Sequence, residues 1–374
     1  MLSSKFGLYI HIPFCVSKCS YCDFCSFVPK QKQVEDYITA LKQEIVKAGE
    51  RAGGRLVTSV YIGGGTPSVL PTGAIEDIMT CVRENFIVLN ACSVTIEANP
   101  NSFDIKKAEE YMRAGCSRLS LGLQSHSDKI LKILNRVHNF KDCERAVENA
   151  LHYNIKDINV DIMLGVPEQT LKDVKDTLKK VVELPITHIS AYGLICEPNT
   201  PLTRSIQEKR LTLPSDDSAV EMYDYAVDFL DKAGFKRYEI SNFAKAGYES
   251  QHNLNYWHRG AYLGLGLGAH SFLDGFHWQN TTNFAKYLKN PINCQEDLEQ
   301  ETVKTAKEEM IMLALRTTKG LDILEYNKMF GGNFLVEYGR VLQKLLANDL
   351  IEIEDNILRI KNLYISNAII AEFF

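Results

Sequence analysis

Leu8-Tyr-Ile-His-Ile-Pro-Phe-Cys-Val-Ser-Lys-Cys-Ser-Tyr-Cys22 contains the signals from which the rest of the chain is read. Leu8–Ile12 is a short run of aliphatic and aromatic residues, which predicts a strand. Directly after it, Cys15, Cys19 and Cys22 place thiols at i, i+4 and i+7. In so short a loop three thiolates can converge on three irons of a cubane cluster and leave the fourth iron without a protein ligand. An open metal position is where chemistry happens, as it is in catalytic zinc sites. The alternatives are a zinc knuckle or spare thiols, and zinc would require a second Cys or His pair at motif spacing, which is absent nearby.

Outward from this loop, strand-like runs recur at Val57–Ile62, Ser93–Glu97, Arg118–Leu123, Asn159–Leu164 and His188–Leu194. They alternate with amphipathic stretches at Ala74–Asn85, Ile105–Ala114 (with Gly115 as its terminator), Phe140–Tyr153 and Leu171–Leu184, closed by Pro185. Six such units predict an α/β fold with a parallel sheet and right-handed crossovers, either a partial barrel or a doubly wound layer. In both, function collects at the C-terminal ends of the strands, where Gly63–Ser68, Glu97, Asn99, Gln124 and Gly165 fall. Asp216–Lys232 and Arg237–Ser241 read as one more helix and strand, completing a first unit at about residue 245. Residues 246–300 form a connecting region, of which 246–295 is rich in Gly, Asn, His and aromatics with weak periodicity and is expected to be loops over the site. From 301 the order changes to Thr302–Leu315, a break at Gly320, helices near Ile323–Met329 and Leu335–Ala347, and strands at Ile351–Glu354 and Ile357–Ile360. That α+β order resembles a winged helix. Its nine Lys/Arg against eleven Asp/Glu leave a net charge of −2, which favours packing or partner docking over DNA binding.

Composition sets the outer bounds. The 374 residues are 45% hydrophobic and 24% charged, which excludes collagen-like, disordered and coiled-coil classes. A formal charge of −5 argues against a protein that coats nucleic acid or an anionic membrane, so no nucleic-acid partner is expected. The start lacks the basic and apolar regions of an export signal, and apolar runs such as Met310–Leu315 fall short of a membrane helix. A soluble protein of a reducing cytoplasm is the expectation, and there clustered cysteines bind metal more often than they form bridges.

The CxxxCxxC spacing of Cys15, Cys19 and Cys22 resembles the signature of the radical S-adenosylmethionine (SAM) superfamily. Tyr9-Ile-His-Ile-Pro-Phe-Cys15, Gly63-Gly-Gly-Thr-Pro-Ser68, Glu97-Ala-Asn-Pro100, Arg118-Leu-Ser-Leu-Gly-Leu-Gln124, Asn135-Arg-Val-His138, Asp161-Ile-Met-Leu-Gly-Val-Pro167 and Tyr238-Glu-Ile-Ser-Asn-Phe243 narrow the resemblance. They are similar to the oxygen-independent coproporphyrinogen III oxidase family, including its heme-chaperone branch, HemW. The resemblance implies a partial (β/α)6 radical SAM barrel with a [4Fe–4S] cluster on the three cysteines and SAM at its C-terminal mouth. It implies SAM contacts from Tyr9, Tyr21, Gly64, Gly65, Thr66, Glu97, Gln124, Arg136 and Asp161. The partners it implies are heme or another tetrapyrrole as cargo, apo-hemoprotein recipients, an electron donor for the cluster, a membrane-associated partner and a dimer.

Three features bear on the branch. His252-Asn-Leu-Asn-Tyr-Trp257 resembles the HNxxYW motif of the chaperone branch. An imidazole can ligate heme iron, aromatic rings can cover a porphyrin face and Arg259 could pair with a propionate, so His252, Tyr256 and Trp257 are the heme candidates. A hydrogen-bonded loop or core histidine is the plainer alternative. Cys25 falls one place later than the fourth cysteine of the oxidases, and reads as an auxiliary ligand or a spare thiol. Only 14 residues precede Cys15, where the oxidases carry an N-terminal extension. Gly264-Leu-Gly-Leu-Gly-Ala269 matches a dinucleotide fingerprint formally, but lacks the following helix and acidic residue and is set aside. The expectation is a heme chaperone that delivers heme to apo-hemoproteins. The alternative is a coproporphyrinogen III oxidase that decarboxylates propionates to give protoporphyrinogen IX.

Overall fold

A computed structural model describes residues 5–374; Met1–Ser4, part of the stretch read for an export signal, lie outside the described residues. Strands β1 (Lys5–Ile12), β2 (Leu56–Gly64), β3 (Ile87–Ala98), β4 (Arg118–Gln124), β5 (Asp157–Leu164) and β6 (His188–Gly193) run parallel in chain order. Helices α1 (Gln31–Ala52), α2 (Ala74–Asn85), α3 (Ile105–Arg113), α4 (Asp128–Ile133), α5 (Phe140–His152) and α6 (Leu171–Val182) lie in the crossovers. This is the α/β architecture, a parallel sheet of six strands with helical crossovers, that the sequence predicts.

Strand alternation gives the sheet two chemically different faces. Leu8, Ile10, Ile62, Ile96, Leu121 and Val160 are fully buried and share one core with Leu41, Ile78, Tyr111 and Leu178 of the helices. The residues between them are polar and bond to one another across the strands. Tyr61 OH donates to Glu97 Oε1 at 2.7 Å, and Asn159 Nδ2 donates to Ser120 Oγ at 2.8 Å and to Asp161 Oδ1 at 2.7 Å. Asn159 Oδ1 meets His188 Nδ1 at 2.6 Å and Ser190 Oγ at 3.1 Å, so all four hydrogen-bonding positions of this buried amide are used. A complete barrel fills its interior with branched aliphatic layers. Here the interior is a fixed polar surface suited to a ligand.

Two expectations are corrected by the segment after β6. Following α7 (Pro201–Gln207) and α8 (Asp216–Lys232), the single strand expected over Arg237–Ser241 is two short antiparallel strands, β7 (Lys236–Arg237) and β8 (Asn242–Ala244), at the β6 edge. Between them Glu239 is fully buried and accepts a bond from Ser241 N–H, which bends the chain. The residues expected as loops, 246–295, and the five that follow are built into regular elements. They form α9 (Gln251–Trp257), β9 (Tyr262–Leu265), β10 (His270–Leu273), β11 (Phe276–Asn280), α10 (Phe284–Lys289) and β12 (Gln295–Gln300). β9 pairs in parallel with β1, and β10 to β12 continue the sheet antiparallel, so β1 is an internal strand. Strands of four to six residues are too short to express a period, and the glycines between them make the turns.

The C-terminal module comprises α11 (Val303–Ala314), β13 (Leu321–Asp322), α12 (Ile323–Phe330), α13 (Phe334–Glu337), α14 (Gly339–Ala347), β14 (Ile351–Glu354) and β15 (Ile357–Ile360), with its own core around Tyr326, Phe334 and Leu358. The helix expected over 335–347 is two helices that meet at Tyr338. Thr318 N–H donates to Tyr238 O at 3.1 Å, and Arg259 pairs with both Glu301 and Glu309, joining the module to the barrel. Among the described residues no helix is long and apolar enough to cross a membrane.

Lys107 and Glu110 form a buried ion pair at 2.7 Å, and Glu110 also accepts from Ile75 N–H, tying α3 to α2. Removing one partner strands a buried charge. Lys107→Met is expected to lower stability by about 3 kcal/mol, and Lys107→Met with Glu110→Gln to recover most of that loss, as measured by urea unfolding.

Candidate functional site

The cysteine loop is held by backbone bonds on every side. Cys15 N–H donates to Phe27 O at 3.0 Å, Phe27 N–H to Pro13 O at 2.9 Å, and Ser20 N–H to Leu134 O at 3.1 Å. Asn135, at φ 56°, donates its side-chain amide to Lys18 O at 2.9 Å and Ser17 Oγ at 3.2 Å. The next residue, Arg136, donates from Nη1 to Cys19 Sγ at 3.2 Å and from Nη2 to Asn99 Oδ1 at 2.7 Å and to Gly122 O. The Asn135-Arg136 pair therefore clamps the loop by its backbone and one thiol by charge. Burial pushes the Cys22 thiol above its ordinary range, so a metal that binds there must displace a proton.

Cys15, Cys19 and Cys22, all free thiols, open on one cavity of about 220 Å³ at the C-terminal ends of β1 to β6. Of the nine residues expected around SAM, eight line this cavity: Tyr21, Gly64, Gly65, Thr66, Glu97, Gln124, Arg136 and Asp161. Tyr9 does not; it faces a neighbouring cavity, with its hydroxyl hydrogen-bonded to His11 Nδ1 at 2.9 Å. Ser120, Asn99 and Tyr192 join the lining, and Tyr192 OH donates to Gln124 Oε1 at 2.7 Å. Tyr192 is legible in the sequence only as a core aromatic, although its place two residues after Ser190 on β6 puts it on the polar face. Burial, with the Asp161 charge close by, pushes Glu97 up to about 7 despite bonds from Tyr61 OH and Gly64 N–H. Burial also raises Asp161. Arg136 Nε is buried without a partner, which marks a hydrogen-bond position that the protein itself leaves open.

A second cavity of about 640 Å³ adjoins the first and shares Phe24, Gly64 and Glu97 with it. Aromatic residues Tyr9, Tyr256, Tyr262 and Phe272 line it, together with Cys25, His270 and Arg259. The HNxxYW motif contributes one side chain. Tyr256 reaches the cavity, but Trp257 does not line it, and its indole nitrogen is buried without a partner. His252, the expected heme ligand, lies on the buried face of α9 at 1% exposure. Nδ1 bonds Ser59 Oγ and Nε2 bonds Tyr256 OH, each at 2.9 Å, and burial lowers the ring to about 3. Both nitrogens are used, so in this structure His252 offers no lone pair to a metal and instead orients Tyr256. Arg259 is likewise engaged, by Glu301 and Glu309. Cys25 faces this cavity and does not line that of the other three cysteines.

Residues 9–181 match the radical SAM superfamily, and residues 302–362 match the HemN C-terminal domain. The heme chaperone HemW of Bacillus subtilis (strain 168) is 34% identical over 350 residues, covering 92% of each chain. The heme chaperone HemW of Buchnera aphidicola subsp. Schizaphis graminum is 42% identical over 265 residues, 71% of this chain and 69% of that protein. Coproporphyrinogen III oxidase (HemN) from Escherichia coli, a radical SAM enzyme, shares the fold with a TM-score of 0.87 over 99% of this chain and 90% of its own, at 23% identity.

A carboxyl held near 7 gives the protein without ligands a pH-dependent stability. Between its ordinary value of 4.5 and about 7 the folded state binds more protons than the unfolded state, so stability falls as pH rises through that window. Glu97→Gln is expected to remove this share of the slope. The unfolding free energy of the variant should gain on that of the parent by about 3 kcal/mol between pH 4.5 and 8, read from urea midpoints at each pH.

Proposed function

The chain belongs to the HemW heme-chaperone family of the radical SAM superfamily, and on that premise we propose that it carries heme beside a cluster and SAM and passes it to apo-hemoproteins. The superfamily implies a [4Fe–4S] cluster and SAM. The observation that carries the reading is the pair of cavities meeting at Phe24, Gly64 and Glu97, one cysteine-lined and the other wide and aromatic.

The residues of the first cavity fit the implied groups. Three free thiols face one space, and the guanidinium beside Cys19 offsets the charge of a thiolate there. When bound, a cluster with an open iron supplies one-electron reducing chemistry to a ligand chelated at that iron. Glu97 and Asp161 would accept hydrogen bonds from an ammonium or ribose hydroxyls, and Arg136 Nε would donate one. The absence of a Cβ at Gly64 and Gly65 lets this turn pack directly on the His11 ring and on the exit of β1, which sets the floor of the cavity.

The second cavity is of the size and character that takes a flat, mostly apolar ligand. Tyr256 and Tyr262 pack edge to face at 4.6 Å, and Arg259 lies over the Phe272 ring at 5.1 Å. Glu309 and Leu313 of α11 complete the wall, which brings the C-terminal module within reach of whatever leaves. A carboxylate on the ligand would compete with Glu301 and Glu309 for Arg259.

Anaerobic reconstitution with iron and sulfide, then reductant, SAM and either heme or coproporphyrinogen III, tests the proposal. Stable heme binding, transfer to an apo-hemoprotein and no decarboxylated product are expected. Decarboxylated tetrapyrrole over many turnovers would replace the chaperone by the oxidase. Cys19→Ala is expected to lose the iron–sulfur absorbance and to keep heme uptake, because heme and cluster occupy different cavities.

A further inference from the structure

If the aromatic cavity takes heme, its iron needs a ligand, and the residue named by the HNxxYW motif is sealed away. Of the nine histidines of the chain, His11 and His270 line this cavity. His11 is 6% exposed, with Nδ1 hydrogen-bonded to Tyr9 OH and Nε2 to Cys25 O, each at 2.9 Å. His270 differs on both counts. It is exposed, and its ring makes no hydrogen bond to any described residue.

The local backbone aims this ring. His270 opens β10, and period-two alternation puts Phe272 on the same face, while Ser271 is buried on the other with its hydroxyl on Gly264 N at 2.9 Å. Phe272 pairs across the strands with Tyr262, another lining residue, so one face of this small sheet presents an imidazole beside a floor of aromatic rings. Gly264 lies so close behind β10 that a Cβ there would sit 2.1 Å from His270 O, which leaves the strand no room to retreat. That contact also accounts for part of the glycine run over Gly264–Ala269.

We propose that His270 supplies the axial nitrogen ligand to the iron of the bound tetrapyrrole, an inference that rests on reading the aromatic cavity as the heme site. A neutral imidazole donates a ring lone pair to the iron, and no bond within the protein has to break first. Cys25, the other soft donor in the cavity, is held above the ordinary thiol range by burial, which disfavours the thiolate that would ligate.

The test is a titration of the full-length, cluster-reconstituted protein with ferric heme, read by Soret position and by magnetic circular dichroism, which separates nitrogen from thiolate ligation. His270→Ala is expected to lose the nitrogen signature and to weaken retention by at least about tenfold, the range seen when even an indirect partner of a metal ligand is removed. His252→Gln is expected to keep the signature. His270→Gly with added imidazole should regain it, which a merely structural role would not allow. Unaltered iron–sulfur absorbance and unfolding midpoint in the His270 variants identify the loss as local. An unchanged spectrum in His270→Ala, or a thiolate signature abolished by Cys25→Ser, would overturn the assignment while leaving the heme reading intact. Failure of the parent protein to bind heme would overturn both.

Discussion

The site depends on one steric constraint, the contact between the glycine turn after β2 and the exit of β1. Gly65 N–H donates to Ile12 O and Thr66 N–H to Phe14 O, both at 2.7 Å. A Cβ at Gly65 would stand 2.8 Å from Ile12 O and 2.7 Å from Phe14 O, closer than any side chain can approach. The first cysteine is thereby held against the turn that lines the cavity, and Thr66 Oγ1 lies 3.6 Å from Cys15 Sγ. From that point the loop can only cross the open ends of β3 to β5, where Asn135 and Arg136 take hold of it. Three thiols at suitable spacing are an opportunity for a cluster. It is this contact and the clamp opposite that bring the thiols to one space.

How much of this was legible follows from the length of each signal. The six parallel strands carry six to twelve residues of alternating pattern between helices with clear apolar faces, and all six are legible in order. The same alternation puts Glu97, Gln124 and Asp161 on the inner face, with Gly64, Gly65 and Thr66 at the end of β2, while Tyr21 and Arg136 reach the cavity from the cysteine loop and the segment after α4. Tyr9 escaped because β1 is internal to a wider sheet. Its inner face near the C-terminal end borders the cavity on the β9 side, and that position exists only because β9 to β12 extend the sheet. Those strands were not legible. Each is four to six residues long, and β9, on which the others build, is placed by pairing with β1 some 250 residues earlier.

The HNxxYW motif illustrates a different limit. A resemblance carries the presence of residues but not which atoms face a ligand. In α9 the spacing of His252 and Tyr256 is i, i+4, which stacks them on one helix face and allows a single hydrogen bond to tie them. The other ring nitrogen is bound to Ser59 in β2, so the histidine fastens the helix to the sheet and presents the tyrosine. Motif and cavity are thus connected, with the imidazole on the inner side of the connection.

Glu97 is the titratable residue common to both cavities, and its environment couples them. Its carboxyl is buried, bonded by Tyr61 and Gly64, and held near 7, so either protonation state is accessible at neutral pH at small cost. A cationic or hydrogen-bond-donating group on the cysteine side favours the ionised form, which adds negative charge to the rim of the aromatic side. An anionic group on the aromatic side favours the neutral form, which weakens the hold on a cation across the wall. Linkage makes these two effects one and the same coupling, since each ligand changes the affinity of the other by the same factor. Two cavities with one ionisable wall residue between them therefore cannot be loaded independently of charge, although they hold their ligands with different side chains.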